Sequence, residues 1–133
     1  MRETLSGQAR HAGRRMVLPL LAAGILVAAA GPARALCHID WRPFIMGQPA
    51  VMYMTVAREP CRISLYAGSH SRYESLRLLE WPRGGSVRLD GRTGAVYTPS
   101  PGFAGPDRFV MGLTGTSSIG SGTSIITVEI DVP

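Results

Sequence analysis

The sequence contains few of the residues from which active sites are built. It has three histidines, His11, His38 and His70, and none of them lies in a recognisable nucleophile, metal-binding or acid–base motif. The carboxylates are scattered along the chain, without the paired arrangement that general acid–base catalysis uses. We therefore predict that the protein is not an enzyme and that it needs no cofactor.

The chain also lacks a basic surface that would attract nucleic acid. Its formal net charge is +5, but five of the 14 basic residues fall within residues 1–35, against the single acid Glu3. Residues 36–133 carry nine arginines and eight acids, so no basic stripe remains there. Nucleic acid is not an expected partner.

No apolar run in the chain reaches the length of an ordinary membrane span. The longest, Val17 to Ala30, has 14 residues and includes Pro19, whereas a spanning helix needs roughly 20. It follows a basic stretch and precedes Ala33-Arg34-Ala35, which has small residues at the −3 and −1 positions of a cleavage site. We expect a signal peptide over residues 1–35, cleaved after Ala35, and membrane contact only through this segment. An uncleaved anchor is the alternative.

The only two cysteines of the chain are Cys37 and Cys61. In the oxidising compartment that export implies, such a pair usually forms a disulfide. Closing this loop is worth about 3 kcal/mol in the loop-entropy description. A thiol or metal site is the alternative, but the Cys-x-x-Cys spacing of many metal sites is missing. We expect a Cys37–Cys61 disulfide and a periplasmic or secreted location.

Residues 36–133 have the pattern of a single all-β domain. Near the end of the chain, Ile126, Val128, Ile130 and Val132 alternate with polar residues, which is the period of a strand with one face in water. Strand-forming residues also cluster, between turn residues, in the six segments 50–57, 61–66, 75–81, 86–90, 95–98 and 108–114. About seven short strands without a helical period predict two packed sheets that share one core.

One stretch of sequence resembles a known class of domain. A Gly-rich turn, Asp90-Gly-Arg-Thr-Gly94, precedes Tyr97-Thr-Pro-Ser-Pro-Gly-Phe-Ala-Gly-Pro-Asp-Arg-Phe109. With this motif, residues 79–132 resemble the bacterial immunoglobulin-like or cadherin-like domains of large cell-surface proteins. The resemblance implies an immunoglobulin-like sandwich of about seven strands, acting through contact with a protein or a surface.

The chain departs from that family in two ways. Such domains usually occur in tandem, and many end in an Asp- and Asn-rich linker that holds calcium; this sequence has one copy and no asparagine, so interdomain calcium is not expected. The spacing of Cys37 and Cys61 also differs from that of the inter-sheet bridge in antibody domains, whose cysteines lie further apart.

Within the motif, each marked residue has a structural use. Pro99 ends a strand because it cannot donate to a ladder, and Pro101-Gly102 favours a turn. Phe103 can fold back onto the core. Asp107 can accept hydrogen bonds from nearby backbone N–H groups.

The Ser-, Gly- and Thr-rich segment 114–124 lies between two predicted strands. We expect a long, mobile hairpin loop, in a place where this fold often carries recognition. Ser117, Ser118 and Ile119 are the candidate partner-binding residues, with Ile119 as an apolar anchor. A flexible connection without a binding role is the alternative.

Two further sets of side chains have the chemistry for a site. Met52 and Met54 with a histidine would suit copper, although methionines more often fill gaps in a core. Five aromatic residues could form a contact patch, but on a small sandwich we expect most of them in the core. They are Trp41, Trp81, Tyr53, Tyr66 and Tyr73.

The sequence therefore predicts an exported, non-catalytic module that binds an envelope or extracellular protein, or a surface. One alternative is a small secreted enzyme inhibitor that presents the 114–124 loop. A second is a periplasmic protein that handles a metal through Met52, Met54 and a histidine.

Overall fold

The structure is a computed structural model that describes residues 36–133. This part of the chain is all-β, with eight strands, and it contains no helix that could span a membrane. The predicted signal peptide and its cleavage site after Ala35 lie outside the described residues. The strands are β1 Leu36–Asp40, β2 Ala50–Ala57, β3 Cys61–Ser64, β4 Arg72–Glu80, β5 Gly85–Asp90, β6 Gly94–Pro99, β7 Gly105–Ser117 and β8 Gly120–Val132.

The strands form two sheets that pack face to face. One has five strands in the order β1-β2-β8-β7-β4, and the other has three in the order β3-β6-β5. The pair β2 and β8 is parallel, and all other neighbours in the two sheets are antiparallel. The predicted two-sheet all-β architecture is confirmed.

The core lies between the sheets and follows the predicted alternation. In β8, Ile126, Val128, Ile130 and Val132 are buried, as the period of two requires. In the neighbouring strand β7, three successive inward positions are fully buried. These are Phe109, Met111 and Leu113.

The predicted disulfide between Cys37 and Cys61 is present, with Cα atoms 5.3 Å apart. Cys37 belongs to β1 in the five-stranded sheet and Cys61 to β3 in the other, so the bond joins the two sheets. Its cysteines are only 24 residues apart, yet it links sheet to sheet as the antibody bridge does. A disulfide fits an oxidising compartment.

Strand β1 was not among the predicted strands. Four of its five side chains are exposed, and only Ile39 packs against the core. It lacks the alternating apolar pattern because it is an edge strand, held by its ladder to β2 and by the disulfide. A short, mostly polar edge strand gives too weak a signal to be found from sequence.

The prediction of a long loop over 114–124 is wrong. Strands β7 and β8 pair without interruption up to Ser117 and Gly120, so that the connection is a tight turn of two residues, Ser118 and Ile119. The hydroxyl groups of Thr114 and Thr123, opposite each other in the ladder, are 2.7 Å apart and hydrogen-bonded.

The glycines of this hairpin explain why its sequence predicts a loop. A Cβ atom at Gly115 would collide with the carbonyl oxygen of Arg72 in β4, and one at Gly120 would lie 2.5 Å from the carbonyl oxygen of Met46. These glycines let neighbouring backbone approach closely, which is a recognised use of glycine within a strand. In sequence, the same residues are indistinguishable from those of a flexible connection.

Asp107 accepts backbone hydrogen bonds, as the motif predicted, and it also binds a tyrosine. Its Oδ1 accepts from the backbone N–H groups of Arg83 and Arg108, both at 2.9 Å. Its Oδ2 accepts from the N–H of Gly84 at 2.9 Å and from the hydroxyl of Tyr97 at 2.8 Å. This buried carboxylate thereby ties the β4–β5 connection to β6 and β7.

The environment of Asp107 shifts two pKa values in opposite directions. Burial by itself would raise the pKa of Asp107, but the hydrogen bonds from Tyr97 and from three backbone N–H groups outweigh it and lower this pKa below its usual value. For Tyr97, burial first, and then the hydrogen bond and negative charge of Asp107, raise the pKa of the phenol. The folded protein therefore favours an ionised Asp107 beside a neutral Tyr97.

Phe103 packs against the core, as expected, over a glycine in the β4–β5 connection. A Cβ atom at Gly84 would collide with the Phe103 ring, so only glycine fits beneath it. The backbone N–H of Ser100 donates to the carbonyl of Gly84 at 2.9 Å. The 97–109 motif thus closes one end of the sandwich.

Candidate functional site

Three of the connections at the other end of the sandwich meet on one surface. They are the β1–β2 loop over 41–49, the β3–β4 loop over 65–71 and the β7–β8 turn. Leu36 pairs with Ala57 and Gly105 pairs with Val132, which places the first described residue and the end of β8 at the far end, beside the 97–109 motif. We call the end with the three connections the loop end.

The loop end contains an apolar cleft of about 270 Å³. No charged side chain lines it, and three of its residues are largely exposed, namely Ile119 at 71%, Tyr66 at 59% and Ile45 at 45%. Its lining consists of Trp41, Pro43, Phe44, Ile45, Tyr66, Ala67, Gly68 and Ile119. Apolar side chains from three distant parts of the chain therefore converge on one concave surface.

The first wall, from the β1–β2 loop, is fixed by a buried serine. Ser124 of β8 is fully buried, and its Oγ accepts from the N–H of Gly47 at 2.9 Å and donates to the carbonyl of Ile45 at 3.4 Å. The rings of Trp41 and Phe44 pack edge to face, with centroids 5.5 Å apart. The loop is thereby held against β8.

The second wall, from the β3–β4 loop, is fixed by a tyrosine. The hydroxyl of Tyr73 in β4 accepts a hydrogen bond from the N–H of Ala67 at 2.8 Å. Ser71 Oγ donates to the carbonyl of Gly68 at 2.9 Å, and the N–H of Leu65 donates to the carbonyl of Thr93 at 2.7 Å. Tyr66 stands exposed between these fixed points.

The third wall is the β7–β8 turn, which holds the predicted partner-binding residues. Ser117 Oγ donates to the carbonyl of Gly120 at 3.1 Å and so closes the turn. Ile119 lines the cleft, whereas Ser118 is exposed but does not line it. The three residues thus lie next to one another, but only Ile119 lines the cleft. Partner binding by them stays a prediction.

A second cavity, of about 530 Å³, lies beside the cleft and shares Pro43, Phe44 and Ile45 with it. It continues along β2 to Val51 and Tyr53. Arg42 is the only charged residue that lines either cavity. In residues 36–133 the ion pairs are Arg62 with Asp90 and Arg108 with Glu80, and Arg42 belongs to neither.

The structure does not bring the candidate copper ligands together. Met52 and Met54 share one strand face, as predicted, and both are buried in the core. His38 pairs with Thr55, on the other face of the same sheet, and His70 lies in the β3–β4 loop. Among the described residues, no group of three or more His, Cys, Asp or Glu side chains is placed to hold a metal ion.

The expectation that most of the five aromatic residues lie in the core is wrong. Tyr53, Tyr66 and Trp81 are each more than half exposed. Trp41 and Tyr73 are partly buried and pack against the core. The fully buried tyrosine is Tyr97, which stacks on Phe109 with ring centroids 6.2 Å apart.

Sequence reasoning missed the contribution of residues 41–49. The run Trp41-Arg-Pro-Phe-Ile45 has no strand or helix period, so nothing in it predicted a cleft wall. Its density of aromatic and apolar residues between turn formers was the one available signal. At the loop end these residues contribute to an uncharged, mostly apolar concave surface.

The chain was compared with known proteins. No protein-family model matches it, and no curated protein shows significant similarity to it.

Proposed function

We propose that this protein is an exported, non-catalytic immunoglobulin-like module that binds a protein partner in the cell envelope through its loop end. The observation that carries the proposal is the uncharged cleft bordered by the exposed Ile45, Tyr66 and Ile119. Binding surfaces commonly combine such an apolar centre with a polar surround.

The fixed walls of the cleft support a role in binding. Exposed apolar side chains are common singly, but a contiguous group in a concave surface marks interaction sites. Here each wall is tied to the sheets by a side chain that hydrogen-bonds to backbone, from Ser124, Tyr73 or Ser117. A surface ordered before binding loses less conformational entropy when the partner docks.

Two features support export and an immunoglobulin-like fold. The Cys37–Cys61 disulfide fits a periplasmic or secreted protein. The 97–109 motif connects β6 of one sheet to β7 of the other. Within it, Asp107 accepts hydrogen bonds from Gly84 and Tyr97. Expression of the full chain in a bacterial host tests export, because processing after Ala35 leaves Leu36 as the first residue in N-terminal sequencing.

Capture from envelope extract tests the binding site. The oxidised protein is immobilised in three forms, as wild type, Ile119→Ser and Leu79→Ser. Leu79 is the matched control for Ile119, because it is an exposed aliphatic residue of β4 that does not line the cleft. We expect a protein that is retained by wild type and Leu79→Ser and lost with Ile119→Ser. Equal retention by all three forms would contradict a site at the loop end.

An enzyme inhibitor is the second candidate, and the position of Ile119 favours it. This side chain is the most exposed large apolar residue in the described part of the chain, and it lies at the tip of a closed turn. A protruding turn suits insertion into an enzyme cleft. If the captured protein is a hydrolase, inhibition of that hydrolase by wild type and not by Ile119→Ser would support this candidate, whereas undiminished activity would exclude it.

A further inference from the structure

We propose that the partner presents an extended segment with one large apolar side chain and, a few residues away, a carboxylate that pairs with Arg42. This inference rests on the proposed function, since it specifies what the loop end recognises. It follows from three properties of the two adjoining cavities: their size, their charge and the backbone that lines them.

The apolar cleft has the size and the lining to take a large uncharged side chain. Its volume of about 270 Å³ lies below the range of roughly 300–1,000 Å³ that is typical of small-molecule sites. Its side chains offer no charge to compensate a buried charge, and an uncompensated buried charge is costly. A large aliphatic or aromatic side chain is therefore the group that fits between Ile119, Tyr66 and Phe44.

The adjoining cavity adds a requirement for negative charge. Arg42 lines it as the only charged residue and forms no ion pair within residues 36–133. A guanidinium binds a carboxylate through two parallel hydrogen bonds, which gives direction as well as attraction. Because both cavities share Pro43, Phe44 and Ile45, one bound segment can reach both.

The backbone at this place favours side-chain contacts with an extended segment. Pro43 and Pro49 line the second cavity and have no N–H, so the loop is a poor edge for strand pairing. In an extended chain, alternate side chains point the same way about 7 Å apart. The predicted recognition pattern is thus a large apolar residue with Asp or Glu two to four positions away.

A lipid surface is less favoured than a protein segment. Residues 36–133 carry nine arginines against eight acids, so they have little net attraction for anionic headgroups. Ile119 projects from its turn, but it is a single side chain, and the rest of the apolar lining faces a concave surface that a flat bilayer cannot fill.

Selection from a display library of random linear peptides tests the inference. The target is the full chain after export, in its oxidised form. We expect enriched peptides to combine a large apolar residue with Asp or Glu two to four positions away. A chemically made peptide of the enriched sequence should bind about tenfold more weakly to Arg42→Gln, which corresponds to the loss of one charge-assisted contact.

Charge reversal and controls decide between the outcomes. Arg42→Glu should prefer a peptide in which the acid is replaced by Lys, Ile119→Ser should lose both peptides, and Leu79→Ser should bind as wild type does. Enriched peptides that need Ile119 but carry no acid would overturn the inference and leave the proposed function standing. Peptide binding that is unaffected by Ile119→Ser, or binding to phosphatidylglycerol vesicles that Ile119→Ser abolishes, would overturn both.

Discussion

The two ends of the sandwich use their side chains in opposite ways. At the end with the 97–109 motif, the polar group of Asp107 is buried and accepts four hydrogen bonds, and Phe103 covers a glycine. At the loop end, polar groups fix the backbone behind the surface, while Ile119 and Tyr66 face solvent.

This difference separates residues that stabilise the fold from residues that are free to bind. Burial of a satisfied carboxylate ties three segments together, and its loss leaves several donors without an acceptor. An exposed isoleucine at a turn adds little to the free energy of folding. Substitutions at the end with the 97–109 motif should therefore lower the stability of the fold. Substitutions at the loop end should weaken partner binding and leave the stability nearly unchanged.

The largest expected effect is that of Asp107→Asn. The substitution replaces an ionised acceptor by an amide whose NH₂ group faces backbone N–H donors, and we expect a loss of about 4 kcal/mol in the free energy of unfolding. Urea denaturation measures this loss. The matched control, Asp131→Asn, changes an exposed carboxylate of β8 and should leave the midpoint nearly unchanged. Equal midpoints for both variants would contradict a structural role for Asp107.

Removal of the disulfide should have the next largest effect. In the double variant Cys37→Ser, Cys61→Ser, we expect a loss of about 3 kcal/mol, because the unfolded chain regains loop entropy. Since β1 contributes only Ile39 to the core, its amides should lose protection first in hydrogen exchange. Unchanged protection of β1 would show that its ladder with β2 suffices to hold it.

Gly84→Ala should lower the free energy of unfolding by about 2 kcal/mol, which is typical of an overpacked core. The added methyl group must displace the ring of Phe103. Thermal unfolding measures the loss, and Gly91→Ala is a useful comparison. Unlike Gly84, that glycine has a positive φ, and it has open space around its Cβ position, so any loss there reports backbone strain without overpacking. Full recovery of Gly84→Ala stability in combination with Phe103→Leu would confirm the steric cause.

A smaller effect should appear when the pH is lowered. Because the folded state lowers the pKa of Asp107, ionised Asp107 stabilises the fold above its unfolded pKa of about 3.9, and this stabilisation is lost as the pH falls through the lower, folded value. The difference in unfolding free energy between wild type and Asp107→Asn should therefore narrow in acid. A difference independent of pH between neutral and strongly acidic solution would refute this linkage.

The smallest effect on stability is expected for Ile119→Ser. The side chain is exposed in a turn, so the free energy of unfolding should change by less than about 0.5 kcal/mol. Chemical denaturation of this variant, beside Leu79→Ser, provides the measurement. A loss above 2 kcal/mol would mean that Ile119 stabilises the fold and would weaken its assignment to binding.

The sequence predicted what depends on local pattern. The alternation of Ile126, Val128 and Ile130 identified a strand and its buried face, and the motif around Asp107 identified a backbone acceptor. The two cysteines were paired correctly from their number and the expected compartment. Each of these features is determined by residues that are close in sequence or by simple chemistry.

What the sequence could not reveal depends on contacts between distant segments. The glycines of 114–124 look like loop residues, and only their close approach to Arg72 and Met46 shows that they belong to a ladder. Likewise, nothing in the sequence connects Phe44 with Ile119, which meet only because the three connections lie at one end of the sandwich. The tyrosine partner of Asp107 lies ten residues away and was not predicted.

The most direct test of binding at the loop end is photo-crosslinking of the exported protein in living cells. A benzophenone amino acid is placed at position 119 in one variant and at position 79 in another, and the cells are irradiated. We expect a discrete crosslinked protein adduct from position 119 and none from position 79. An adduct from position 79 alone, or from neither position, would contradict the assignment of the loop end as the binding site.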